Sequence, residues 1–179
     1  FPEFLFVAST HDYILYFTND GRVYWQKVYD VPQLGRMAQG RAIINLLELT
    51  PEQRVVSIVA VKNFEVQASI CMVSLRGFIK KCALSEYSNP RRGGISTMGL
   101  EEGDQLMAAR LVRPDQEIVL ATRLGMAVRF DASIVRDMGR TAWGLKGPSL
   151  DENDSIVSVV VGSAGDYLLT VCEKGVGKR

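Results

Sequence analysis

Residues 89–96, Asn-Pro-Arg-Arg-Gly-Gly-Ile-Ser, set two adjacent arginines beside two adjacent glycines. Arginine presents a fixed fork of N–H donors to anionic oxygens, and glycine, lacking a Cβ, lets backbone N–H groups approach them closely. Binding phosphate is the chemistry open to such a loop. Two loops of the same kind lie elsewhere in the chain. Residues 34–42 hold Arg36 and Arg41 around Gly40, and residues 135–144 hold Arg136 and Arg140 before Gly144.

Other constellations fail on spacing. His11 is the single histidine, and with Ser9 and Asp12 it forms a triad in letters only, since sequence neighbours rarely acquire triad geometry. Gly-Val-Gly-Lys-Arg at 175–179 lacks the rest of a nucleotide-binding loop, and Asp-Glu-Asn-Asp-Ser at 151–155 lacks the glycine and final glutamate of a calcium loop. No catalytic residue, metal ligand or bound cofactor is assigned. Cys71, Cys82 and Cys172 show no CxxC spacing and are expected to be buried, reduced thiols of a cytosolic protein.

The elements that must position the loops are strands. Stretches such as YILYFT, VVSIVAV, SICMVS, EIVLATR and SIVSVVVG are short, rich in β-branched and aromatic residues, and bounded by turn formers. FLFVAST at 4–10 and YLLTVC at 167–172 read the same way. No segment carries a helical apolar stripe beyond about two turns, and no apolar run approaches the roughly 18 residues that span a bilayer. The chain is all-β.

It is also repetitive. Hairpin glycines recur at Gly21, Gly77, Gly125 and Gly175, each after an apolar strand and before one bearing Lys or Arg. A second glycine follows at Gly40, Gly94 and Gly144, then a leucine at Leu46, Leu100 and Leu150, then an acidic turn. Repeats of about 50 residues with several strands each predict a propeller-like array of four-stranded blades. The repeats span approximately 4–61, 68–112, 116–162 and 166–179, three nearly complete and one partial. Starting at Phe1 without a methionine and stopping at Arg179 just after a strand begins, the chain is expected to be a fragment of something longer.

Charge is sorted by repeat position. The net charge is +1, yet the stretches 22–41, 76–95, 123–146 and 174–179 hold 17 of the 21 basic residues and four of the 20 acidic ones. These stretches therefore carry +13 and the remainder −12. If blades ring an axis, equivalent positions share one surface, and a basic band along it suits a long, curved polyanion. The expected contacts are Arg22, Lys27, Arg36, Arg41, Lys80, Lys81, Arg91, Arg92, Gly93, Gly94, Arg129, Arg136, Arg140, Lys146, Lys178 and Arg179. Base reading is not indicated, because no recognition helix or zinc module is present. Tyr24, Trp25, Tyr87 and Trp143 lie near the band and are expected to be packed inside blades.

The stretch FVASTHDYILYFTNDGRVYWQKVYDVP, followed by GRAIINLLEL, resembles the C-terminal domain of the bacterial DNA gyrase A protein. The later RRGG, GMAVRF, IVRDMGR and GVGKR are similar to its successive blades. The resemblance implies a β-pinwheel, in which each blade borrows strand structure from its neighbour and double-stranded DNA wraps the basic perimeter. It implies partners in the N-terminal core of the gyrase A protein and in the gyrase B protein, within a cytoplasmic, nucleoid-associated heterotetramer. ATP and Mg²⁺ would be used elsewhere in that enzyme. The family's box, Gln-Arg-Arg-Gly-Gly-Lys-Gly, is matched here only at Arg91, Arg92, Gly93 and Gly94; Pro90, Ile95 and Ser96 depart from it. Two alternatives stay open: the DNA-bending C-terminal domain of the topoisomerase IV A protein, and a protein-binding propeller.

Overall fold

The computed structural model describes residues 4–35, 37–91 and 93–179. In chain order its elements are β1 (Tyr13–Thr18), β2 (Arg22–Lys27), α1 (Ile43–Leu47), β3 (Val55–Val61), β4 (Ser69–Ser74), β5 (Phe78–Ala83) and β6 (Ile95–Ser96). There follow β7 (Leu106–Val112), β8 (Glu117–Thr122), β9 (Ala127–Asp131), β10 (Leu145–Lys146), β11 (Ile156–Gly162), β12 (Thr170–Val171) and β13 (Gly177–Lys178). Single 3-10 turns follow β2, β5 and β9, at Val28–Asp30, Leu84–Tyr87 and Ala132–Ile134, repeating the internal period.

Each repeat builds its hairpin in the same way. A turn closed from Gly21 N–H to the Thr18 carbonyl at 3.0 Å is matched by Gly77 to Ser74 at 3.1 Å and Gly125 to Thr122 at 3.1 Å. These glycines have φ of +74°, +85° and +91°, where a side chain would be strained. The polar residue opening each turn ties it down: Ser74 Oγ accepts the Phe78 N–H and Thr122 Oγ1 the Met126 N–H, both at 3.1 Å.

The sheets run β3-β1-β2-β6, β7-β4-β5-β10, β11-β8-β9 and β12-β13. Here the repeat and the blade part company. β6 belongs to the second repeat yet pairs with β2, Val23 opposite Ile95. β10 belongs to the third and pairs with β5, Ile79 opposite Leu145. Each of the first two blades is thus three strands of one repeat closed by a strand of the next, the arrangement of a β-pinwheel. β3, β7 and β11 pack side by side and mark the axis. Ser57 Oγ helps to join the first two, accepting from Ala109 N–H at 3.1 Å and the Arg110 guanidinium at 2.6 Å. β6 and β10 therefore lie at the far edge of their sheets, on the rim.

The core lies between blades. On β4, wholly buried, Ile70 and Met72 face Leu15, Phe17 and Val61 of the first blade, whereas Cys71 and Val73 face Ile118, Leu120 and Val159 of the third. A strand covered on both faces reads as one continuous apolar run. Burying each such aliphatic side chain contributes about 1.5–3 kcal/mol.

Three expectations shift. Residues 4–9 form no strand, and Leu5 is 97% exposed, because among the described residues no sheet edge takes this segment as a partner. The stretch 167–172 yields only Thr170–Val171, in a two-stranded hairpin with both strands exposed; a lone hairpin is marginal. The leucines are not equivalent either. Leu100 covers the Gly21 turn and Leu150 the Gly77 turn, but Leu46 joins Leu47 and Leu49 against Ile14, Tyr16 and Tyr24 on the face of its own blade. Between this leucine and the following strand the first repeat has three more residues than the other two, and Leu46 itself is coiled into α1. Among the described residues no helix is long and apolar enough to cross a membrane.

Candidate nucleic-acid interface

The second-repeat loop is held from beneath. Trp25 Nε1 donates to the Tyr87 carbonyl at 2.8 Å, fixing the end of the 3-10 turn from which the loop departs. The Arg22 guanidinium then donates to the Gly93 carbonyl at 2.8 Å and to that of Gly94 at 3.2 Å. Gly94 has φ +65°, and a Cβ there would stand 2.8 Å from the Tyr24 ring and 2.9 Å from the Val23 carbonyl. Its task is close approach to the neighbouring blade. Gly93 is exposed, and a Cβ there would meet nothing within 4 Å. Arg91 is exposed beside it.

The third-repeat loop follows the same plan. Gly144 has φ +95°, and a Cβ there would meet the Ile79 carbonyl at 2.9 Å. Arg136 is exposed, and Lys146 projects from β10 at the rim. Arg140 is half-buried, with Nε 3.9 Å from Glu86 Oε2 of the preceding repeat. In the first repeat Arg41 is exposed, and a Cβ on Gly40 would meet nothing within 4 Å. Its loop joins no sheet among the described residues. The basic loops of the second and third repeats thus lead into the outermost strands of the first and second blades.

Comparison with known proteins adds to this geometry. The model of the DNA gyrase C-terminal domain, a beta-propeller, matches residues 12–62, 68–113 and 116–163. The chain belongs to that family. The DNA gyrase A protein of Salmonella typhimurium is 41% identical over the whole chain, and that of Chlamydia trachomatis 43%. The chain spans 20% and 22% of those proteins. Among solved structures, the C-terminal domain of DNA topoisomerase IV superposes with a TM-score of 0.84 at 28% identity, over 94% of this chain and 53% of that one. A DNA gyrase A C-terminal domain gives 0.78 at 25% identity, over 95% of this chain and 54% of that one.

Not every cation expected on this gyrase-type rim faces outward. Lys80 is 0% exposed, its ammonium bonded to the Thr97 carbonyl at 2.7 Å and to that of Arg140. Burial lowers its pKa to about 8. Lys81 is buried on the opposite face of β5, donating to the Ala132 carbonyl at 3.0 Å, with the Asp137 carboxylate 4.0 Å away. Both leave the contact set: β5 is flanked by blades on either face, so neither parity of its alternation reaches solvent. Arg22 is half-buried and already engaged with the two loop carbonyls. Arg129 is exposed but paired with Glu117 at 2.7 Å, and that hydrogen bond raises its pKa.

Lys27 Nζ sits 4.2 Å from the centroid of the Tyr13 ring, and the Arg179 guanidinium 4.6 Å from that of Tyr167. Lys178 is exposed on β13. Arg36 and Arg92 lie outside the described residues.

Trp143 reverses its expectation. It is 60% exposed, one face of its indole laid against Gly99, where a Cβ would stand 2.9 Å from the ring. Tyr24 and Tyr87 are buried as expected. The signal available for Trp143 was its place between glycines in a basic loop rather than in a strand. Cys172 is exposed too, in the outer hairpin, whereas Cys71 and Cys82 are buried; burial pushes the Cys71 thiol up to about 12. The acidic turns also do more than face water. Asp104 Oδ1 accepts the Arg76 N–H at 3.1 Å and Asp154 Oδ1 the Leu124 N–H at 3.0 Å, each pinning a hairpin tip of its own repeat. Asp12 accepts the Ser9 N–H at 2.9 Å, so its carboxylate closes a turn rather than orienting His11.

Proposed function

We propose that this chain binds double-stranded DNA without sequence preference along its outer rim and bends it, as the wrapping module of a gyrase. One observation carries the reading: the basic loops of the second and third repeats enter the outermost strands of the first and second blades, so cations from separate repeats fall along one edge. Arg41, Arg91, Arg136, Lys146 and Lys178 supply the exposed charge, with Arg92 and Arg36 as candidates from sequence. Arg129, Arg140, Lys27 and Arg179 are accessible in part and already have partners. Neutralising roughly five to seven phosphates gives a slope of log affinity against log salt of about −4.5 to −6.3.

Bending a duplex over so short a path costs several kcal/mol, and contacts spread over successive blades offset it. In the whole enzyme the bend presents a second DNA segment to the core of the gyrase A protein. The gyrase B protein supplies ATP hydrolysis with Mg²⁺, so that strand passage introduces negative supercoils in the bacterial cytoplasm. No residue of this chain is assigned to the cleavage chemistry. The likeness to the topoisomerase IV domain favours one second reading, a weaker bend without a full wrap.

Ligation of nicked plasmid with the protein bound tests both. A linking-number change is the expected result, and its size separates wrap from shallow bend. Binding with no change would overturn both.

A further inference from the structure

A buried ammonium with no carboxylate partner demands a reason, because an apolar side chain of similar volume is usually no worse for stability. Among the described residues Lys80 is such a group, fully enclosed on β5. Its Nζ bonds the Thr97 carbonyl at 2.7 Å, in the strap leaving β6, and the Arg140 carbonyl, in the loop leading into β10. Neither acceptor belongs to the hairpin that carries Lys80. One strap closes the first blade and the other closes the second.

Both straps are anchored at the same place by independent bonds. Thr97 N–H donates to the Gly21 carbonyl at 2.8 Å, and its hydroxyl meets that of Tyr87 at 2.5 Å. Arg140 Nε stands 3.9 Å from Glu86, on the 3-10 turn that also carries Tyr87. Lys80 joins these two anchors through one atom.

We propose that Lys80 is a positioning residue that sets the step between the two basic rim loops, 89–96 and 135–144. The consequence for DNA rests on the wrapping function proposed above; the positioning itself does not. A duplex crossing successive blades needs phosphate-binding points at a fixed separation, and a rigid link between straps provides it. Methionine fills the same space and makes neither bond, so each loop keeps its own cations while the step between them relaxes.

The test has two arms. Nitroxides on Ser96→Cys and Thr141→Cys, both at exposed positions, in a Cys172→Ser background report the step by pulsed dipolar spectroscopy without DNA. The unaltered Lys80 is expected to give one narrow distance, Lys80→Met to lose it, and Lys80→Gln, which keeps amide donors, to recover it in part. In the second arm, Lys80→Met lowers the linking-number change to under about half while leaving the salt slope within about one unit, since no phosphate contact is removed. If Lys80→Met fails to fold, Lys80→Gln is read in both arms, with partial broadening supporting the proposal. An unchanged narrow distance in the folded variant overturns it. Should the unaltered protein give no linking-number change while the distance still broadens, the wrapping function fails and the positioning role stands.

Discussion

The guanidinium of Arg22 donates to the carbonyl of Gly93 at 2.8 Å, across 71 residues of chain. A cation of one repeat thereby holds the basic loop of the next, and the loop's own Arg91 is left facing solvent. Arg22→Ala is expected to cost about 1–3 kcal/mol, because two carbonyls lose a charged donor. Hydrogen exchange locates the effect: amides of 93–96 gain exchange while those of the β1–β2 hairpin keep their protection. Uniform loss of protection would mean that Arg22 supports the blade and not the loop.

Arg91 and Arg136 are exposed in equivalent loops of successive repeats. Changing both to alanine is expected to leave thermal unfolding unaltered and to make the salt slope of DNA binding shallower by about 2. Titrations at four or more salt concentrations measure this. An unchanged slope removes these loops from the contact surface.

Neighbouring glycines are expected to behave oppositely. Gly94→Ala places a Cβ 2.8 Å from the Tyr24 ring at φ +65°, so it destabilises by about 1–3 kcal/mol or detaches β6. Gly93→Ala meets nothing within 4 Å and stays within about 0.5 kcal/mol of the parent. Urea unfolding of the two variants side by side reads the contrast.

Lys80 makes stability depend on pH. In the unfolded chain its ammonium keeps the proton up to the ordinary lysine value of 10.5, but in the folded chain only up to about 8. Between those values the unfolded state binds more protons, so raising the pH favours the fold; below about 8 both states are charged and the full cost of burial is present. Unfolding at pH 7.5 and 9.5 is expected to show a gain in the parent that Lys80→Met lacks. Equal pH dependence in the two would mean that burial does not depress this group.

Thiol accessibility offers a simpler check. Native protein is expected to react with a thiol reagent at Cys172 alone, and denatured protein at all three cysteines. Reaction at Cys71 without denaturant would contradict the packing between the second and third blades.

Local pattern carried much of this protein. YILYFT, VVSIVAV and SICMVS form strands β1, β3 and β4, and the hairpin glycines adopt the left-handed backbone that their recurrence implied. These features are set by residues a few positions apart, by β-branched alternation and by the φ that only glycine takes freely. The sorting of charge by repeat was equally readable, because it needs only a count at equivalent positions. Which cations reach solvent was not. Lys80 and Lys81 count toward the basic band just as Arg91 does, yet β5 is covered on both faces and turns each lysine into a blade. Nor could spacing alone place Ile95 opposite Val23, since that pairing joins two repeats and depends on the free edge each blade leaves. Trp143 emerges and Lys80 disappears for the same reason: burial is decided by what packs from elsewhere in the chain, and only the assembled blades supply it.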